Sequence, residues 1–164
     1  MKVTEQFVFF WGGPFSNFAK TNFMLDHHQF VTSEQAYMYR KAKFFGDGEI
    51  AERILNTASP HEQKLLGRKV KGFDVIAWSA VCDEHMYEVC MAKFTQDTYY
   101  RNEILKYVGK RFVEASRTDG IWGIKMDEDH PDILDESKWM GQNRLGKVLD
   151  RVQYELLTHR HAVI

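Results

Sequence analysis

Apolar and polar positions fall into blocks whose period changes along the chain. Phe7-Val-Phe-Phe-Trp11 is a short apolar run closed by Gly12-Gly13-Pro14, and it predicts a strand. Phe23-Met-Leu25 and Phe30-Val31 flank the polar Asp26-His-His-Gln29, which is a hairpin pattern. Thr32 or Ser33 predicts an N-cap for a helix from about Glu34 to Phe45, ended by Gly46. Asp47 predicts the cap of a second helix running through Ile54 and Leu55. Ser59-Pro60-His61-Glu62 has the form of a capping box with proline at the first helical position, and Gly67 closes that helix. Asp74 precedes a long helix, roughly 75–95, with Trp78, Val81, Cys82, Val89 and Phe94 near helical period. Asp97 predicts a cap for a helix to about Val108, and Arg111-Phe-Val-Glu-Ala115 alternates as a strand does. The segment 118–140, rich in Gly, Asp and Trp, reads as a long loop, a feature often tied to function. A last helix, about 142–157, carries Leu145, Val148, Leu149, Val152 and Leu156 on one face. The pattern predicts an α+β fold, mainly α-helical, with a few short β-strands.

Composition narrows this picture. A chain of 164 residues predicts a single domain, 1–164, able to bury a real core. Hydrophobic residues at 44% exclude a disordered chain. Net charge is −1, so the chain lacks the basic field that a sequence-independent grip on nucleic acid needs, while a nucleotide remains open as a small substrate. No apolar run is long enough to span a membrane, and Met1-Lys-Val-Thr-Glu-Gln lacks the core of a secretory signal. On one helix Cys82 and Cys90 stand about 12 Å apart along the axis, too far for a disulfide. Two reduced thiols and no signal predict a cytoplasmic protein.

Several polar groups stand where chemistry could sit. Glu34 and Lys41, seven residues apart, share a face of the first helix with Tyr37 and Met38 near them. Their backbones lie about 10.5 Å apart, a span for two groups converging on one sugar and too long for a direct surface ion pair. The same pattern is also the ordinary polar stripe of an amphipathic helix. Gly12-Gly-Pro-Phe-Ser-Asn-Phe18 reads as a turn or as a phosphate-binding loop. Asp119 before Gly120 and near Trp122 reads as a turn residue or as a carboxylate poised by an apolar neighbour. Asn143 and Arg144 open the last helix, as an anion site or simply as a capped end. Asp127-Glu-Asp129-His130-Pro-Asp132 lacks metal-ligand spacing and reads as a solvated acidic loop. Phosphate-loop, dinucleotide and nucleophile-elbow motifs are absent.

Taken in order, these fragments resemble one family. Gly12–Phe18 is followed by Thr-Ser-Glu-Gln-Ala-Tyr-Met-Tyr-Arg-Lys-Ala-Lys-Phe-Phe-Gly-Asp over 32–47 and Ala-Ser-Pro over 58–60. Leu-Gly-Arg-Lys-Val-Lys-Gly-Phe-Asp over 66–74, Trp78, Val-Glu-Ala-Ser over 113–116, Asp-Gly-Ile-Trp-Gly-Ile over 119–124 and Trp-Met-Gly-Gln-Asn-Arg-Leu-Gly over 139–146 complete the set. The chain is similar over about 7–157 to the NADAR family, also called YbiA-like. Two positions depart from its common pattern: Lys125 replaces a glycine after Ile124, and Arg117 stands where proline is common.

The resemblance implies a mainly helical domain acting as an N-glycosidase on the bond between ribose C1 and a base-like nitrogen. It implies two substrate classes: ribosylaminopyrimidine phosphates of early riboflavin biosynthesis, and ADP-ribosylated guanine, in a nucleotide or in DNA. A small molecule fits the weak net charge better than duplex DNA does, and a single-stranded DNA end remains a further form. Carried over by residue, the implied catalytic groups are Glu34, Lys41 and Asp119. The implied substrate contacts are Ser16, Asn17, Tyr37, Trp78, Trp122, Gln142 and Asn143. Glu34 and Asp119 share acid and base work in either assignment. Lys41 attacks C1 through a Schiff base, or holds a phosphate as a cation. Neither a metal nor a redox cofactor is implied, and no membrane partner. The alternative function is a non-catalytic ADP-ribose or nucleotide-binding module.

Overall fold

The computed structural model describes residues 1–159. In chain order its strands and helices begin with β1 (Lys2–Val3), β2 (Phe7–Phe10), β3 (Phe23–Leu25) and β4 (His28–Phe30). Helices α1 (Ser33–Phe44), α2 (Gly48–Leu55), α3 (Pro60–Gly67), α4 (Val75–Gln96) and α5 (Thr98–Leu105) follow, then β5 (Arg111–Glu114) and α6 (Arg144–Thr158). The class is the mainly helical α+β that the pattern predicts. Contacts divide the chain into two compact units: a sheet unit of Met1–Ser16 with the chain from Tyr99 onward, and a helical unit of Asn17–Thr98.

In the sheet unit, β2 pairs antiparallel with β1 and parallel with β5, so β2 is the central strand. A strand paired on both edges and covered on both faces should be apolar throughout, and all four residues of β2 are buried. One face packs Phe7 and Phe9 with Val113, Ala115, Ile124, Met126 and Ile133, with Trp139 against them. Phe10 and Phe112 meet Phe15 at ring distances of 5.7 and 4.8 Å. Helix α6 buries Leu145, Val148, Leu149, Val152 and Leu156, the face predicted for it. It lies so close to β5 that a Cβ on Gly146 would collide with the Phe112 carbonyl.

The helical unit follows its caps. Thr32 Oγ1 accepts from Gln35 N at 2.9 Å, and Asp47 Oδ1 from Ile50 N at 3.1 Å. Ser59 Oγ accepts from Glu62 N at 3.4 Å, and Asp74 Oδ1 from Ile76 N and Ala77 N at 2.9 and 3.0 Å. Each such cap is worth about 1 kcal/mol. The box at Ser59 is half closed, because the Glu62 carboxylate accepts from the Thr57 hydroxyl. The hairpin is tighter than predicted: Asp26 and His27 alone make the turn, at φ of 53° and 65°, and His28 pairs with Leu25. Two residues at positive φ make the mirror-image turn that suits strand twist. The Asp97 carboxylate accepts from the Thr21 hydroxyl at 2.9 Å. Helix α5 stops at Leu105, short of Val108, because the chain turns before entering β5.

Candidate active site

Helix α1 is held at its start by buried amides. Thr32 Oγ1 donates to Gln63 Oε1 at 2.6 Å, and Gln63 Nε2 donates to the Thr57 carbonyl at 2.7 Å. Gln35 accepts from Val31 N at 2.8 Å and donates to the Ile54 carbonyl at 3.0 Å. Satisfied buried polar groups fix geometry strongly, because each has few alternative partners. This clamp sets the first turn of α1 against α2 and α3, and so sets Glu34. Glu34 N–H donates to the Asn17 carbonyl at 3.0 Å, which joins the Asn17 loop to the same turn. Asn17 Nδ2 lies 3.6 Å from Met86 Sδ on α4.

Glu34 is only 8% exposed, two turns before the half-buried Lys41. Burial pulls the Lys41 ammonium below the ordinary lysine range; the Glu34 charge opposes the shift and Arg68 reinforces it. Lys41 Nζ lies 4.4 Å from the centre of the Phe73 ring. The segment after α3 wraps the end of α1. A Cβ on Gly67 would collide with Met38 Sδ, Lys71 N donates to Asp47 Oδ2 at 2.9 Å, and Phe73 meets Phe45 at 5.4 Å. Sequence reading missed Phe73 and Arg68 as neighbours of Lys41, because only tertiary packing brings them there.

Tyr37 and Trp78 are joined by a buried bond, indole Nε1–H to the phenol oxygen at 2.9 Å. Burial drives the Tyr37 phenol far above its ordinary range. Trp78 is 7% exposed; it stacks on His85 at 5.1 Å and meets Phe44 and Phe45 at 5.5 and 6.1 Å. The indole is therefore a packed member of an aromatic cluster beside α1.

The other expected residues, apart from Asn17, lie on the sheet unit. Ser16 ends the one-turn 3-10 helix Gly13–Phe15, its N–H donating to the Gly13 carbonyl. Asp119 makes the turn foreseen as one of its two readings. Its Oδ1 accepts from Ile121 N and Trp122 N, both at 2.9 Å, and Ser116 Oγ accepts from Asp119 N at 3.1 Å. Gln142 is exposed and accepts from Arg144 Nε at 2.9 Å. The anion reading of the α6 N-terminus gives way to the capped one. N–H groups of Asn143, Arg144 and Leu145 are taken by the carbonyls of Gly123, Ile121 and Trp122. The buried Asn143 carboxamide spans β5, accepting from Glu114 N and donating to the Phe112 carbonyl, both at 3.0 Å. That side chain braces the strand. Lys125 sits at φ 55°, a left-handed conformation that costs an L residue about 1 kcal/mol and that glycine adopts freely.

Among the described residues no cluster of three His, Cys, Asp or Glu is arranged to hold a metal ion, and no helix is long and apolar enough to cross a membrane. In the acidic loop, Asp127 pairs with Arg117 at 2.7 Å and Asp132 with Lys138 at 3.1 Å. Glu34, Tyr37, Lys41 and Trp78 thus form one constellation on the helical unit, while Asp119, Trp122, Gln142 and Asn143 share one connected segment of the sheet unit.

The NADAR domain model matches residues 9–157, through both units. Protein irg-1 of Caenorhabditis elegans is 39% identical, over 96% of this chain and 82% of that protein. N-glycosidase R617 of Acanthamoeba polyphaga mimivirus is 31% identical, over 93% of this chain and 97% of that protein. The solution structure of the Escherichia coli protein YbiA is similar with a TM-score of 0.78 at 25% identity, covering 98% of this chain and 90% of that one. With nearly its whole length matched by the family model and by two relatives above 30% identity, the chain belongs to the NADAR domain family.

Proposed function

We propose that the protein is an N-glycosidase that hydrolyses the bond between ribose C1 and the nitrogen of a base-like group. The observation that carries this reading is Lys41: an amine half-buried against Phe73, its charged form disfavoured, on the helix face that also holds the buried Glu34 carboxylate. Membership of the family supports the reaction class, as does the name N-glycosidase borne by a 31% identical relative. The family match running through both units supports one functional domain, 1–164.

In the reaction, the neutral Lys41 amine attacks C1. The C1–N bond breaks, its electron pair leaves with the base, and the Glu34 carboxylate takes the proton that the attacking amine sheds and passes it to the departing nitrogen. The ribose ring opens, its ring oxygen takes a proton, and C1 becomes an imine of Lys41. Water adds to C1, the C1–Nζ bond breaks, and free sugar leaves with the amine restored. Asp119 is proposed as the second carboxylate by the Asp119–Ile124 motif. Ser16, Asn17, Tyr37, Trp78, Trp122 and Gln142 remain proposed substrate contacts; for Asn143 we propose the bracing role instead.

Charge around Lys41 supports a phosphorylated ribosyl substrate. Lys43, Lys64, Arg68, Lys69 and Lys71 are all exposed, and none forms an ion pair or side-chain hydrogen bond among the described residues. In a chain of net charge −1, Lys43 in the last turn of α1 and Arg68, Lys69 and Lys71 on the segment tied to that end make a local field for phosphate. Both ADP-ribosylated guanine and a ribosylaminopyrimidine phosphate carry phosphate next to the ribose. The test incubates the protein with each of these substrates and reads free base and sugar by mass spectrometry. Base release from either, lost with Glu34→Gln, is expected. Saturable binding of both without base release is the behaviour of a nucleotide-binding module and overturns the reading.

A further inference from the structure

The sheet unit holds a cavity that no step above uses. Its volume is about 530 Å³, and Trp11, Gly12, Ala115, Arg117, Thr118 and Asp127 line it. Cavities of this size take ligands of nucleotide dimensions. Trp11 directly follows β2, whose four residues are buried, yet Trp11 itself is 71% exposed. An indole left open at a cavity wall is a plate for a planar ring.

The polar lining is organised. Arg117 Nε donates to Asp127 Oδ2 at 2.7 Å, which holds the guanidinium in place while the side chain stays mostly in solvent. A guanidinium has five N–H donors, so one bond at Nε leaves the Nη groups for an anion. Asp127 Oδ1 accepts from Asp129 N at 2.9 Å, and the Arg117 ion pair holds the Asp127 carboxyl below the usual range, so it stays an acceptor. Met1 and Glu128 complete the wall, the Glu128 carboxylate paired with the Met1 amino group at 3.2 Å. A stacking plate, an anion fork and fixed acceptors are the three features a nucleotide asks for. A simple aliphatic or a bare anion would leave the plate or the acceptors without use.

We propose that this cavity is a nucleotide subsite, with Trp11 stacking on the base, Arg117 holding the 5′-phosphate and Asp127 accepting a hydrogen bond from the nucleoside. The proposal does not depend on Glu34 or Lys41, because it is read by binding alone. Calorimetric titration of the full chain with adenosine monophosphate (AMP) and with adenosine tests it. Saturable AMP binding is expected, weakened about tenfold by Trp11→Ala and restored to within about threefold of the parent by Trp11→Phe. Arg117→Ala is expected to weaken AMP about tenfold while changing adenosine little. Both side chains are exposed, and a melting curve confirms that each variant folds. Competitive inhibition of base release by AMP assigns the subsite to the substrate's own nucleotide; a different pattern assigns it to a separate nucleotide. No saturable AMP binding up to about 5 mM, or an affinity that neither Trp11→Ala nor Arg117→Ala changes, overturns it.

Discussion

Burial sets the protonation of Lys41 before any substrate arrives. A lysine pKa lowered by desolvation leaves more neutral amine at a given pH, and the neutral form is the nucleophile. Turnover should therefore rise with pH through the Lys41 pKa and level off below the value of about 10.4 of an ordinary lysine. Replacing Arg68 by Glu removes a like charge and adds an opposite one, so the rising limb of the pH–rate profile should move to higher pH. Glu34→Gln should lower kcat by about a hundredfold or more, read with a melting curve as control. Trp78→Phe removes the donor to the buried Tyr37 phenol and part of a packed ring, at about 1–3 kcal/mol of stability by urea unfolding. A loss confined to substrate affinity, with stability unchanged, would instead make Trp78 a wall of the ligand site. The shared face of Glu34 and Lys41 was readable from spacing, since helix geometry is local. The environment of Lys41 was not, because Phe73 and Arg68 reach it only through the packing of α3 against α1.

Elements were legible where a cap or a period announced them. Thr32, Asp47, Ser59 and Asp74 each accept from a first-turn N–H, and the apolar face of α6 is buried as its period predicts. Less legible were features decided by a distant partner. Asn143 looked like a helix opener able to meet an anion, yet its carboxamide is spent on the backbone of β5. Asp150 on α6 is similar: it accepts from Phe112 N at 2.8 Å, and burial raises its carboxyl to about 6. A folded pKa above the unfolded value of about 3.9 adds stability that is complete below pH 3.9 and is lost as pH rises through 6. Asp150→Asn keeps an oxygen for Phe112 N and removes the charge. It should raise stability at pH 7 by about 1–2 kcal/mol, after allowance for solvent screening, and flatten the slope between pH 4 and 6. Urea unfolding of parent and variant across that range measures the difference.

Across the whole molecule, length alone predicted one domain; one domain model matches 9–157, and within it contacts resolve a sheet unit built from two distant stretches of chain and a helical unit of Asn17–Thr98. A chain that leaves one unit and returns carries no compositional break, so the division into units was not visible in the sequence. Net charge likewise hid a local field: −1 overall conceals the cations Lys43, Arg68, Lys69 and Lys71 around the end of α1. Reversing Lys69 and Lys71 to Glu should raise KM for a phosphorylated substrate about tenfold, and should weaken the salt dependence of KM. The most direct test of the whole account is reductive trapping during turnover. Borohydride added to protein and substrate should fix the sugar on Lys41, seen as one mass addition on the peptide that carries it and absent from Lys41→Arg. Full base release with no adduct, together with near-parental activity of Lys41→Arg, would contradict a covalent lysine and leave Lys41 only as a charge beside phosphate.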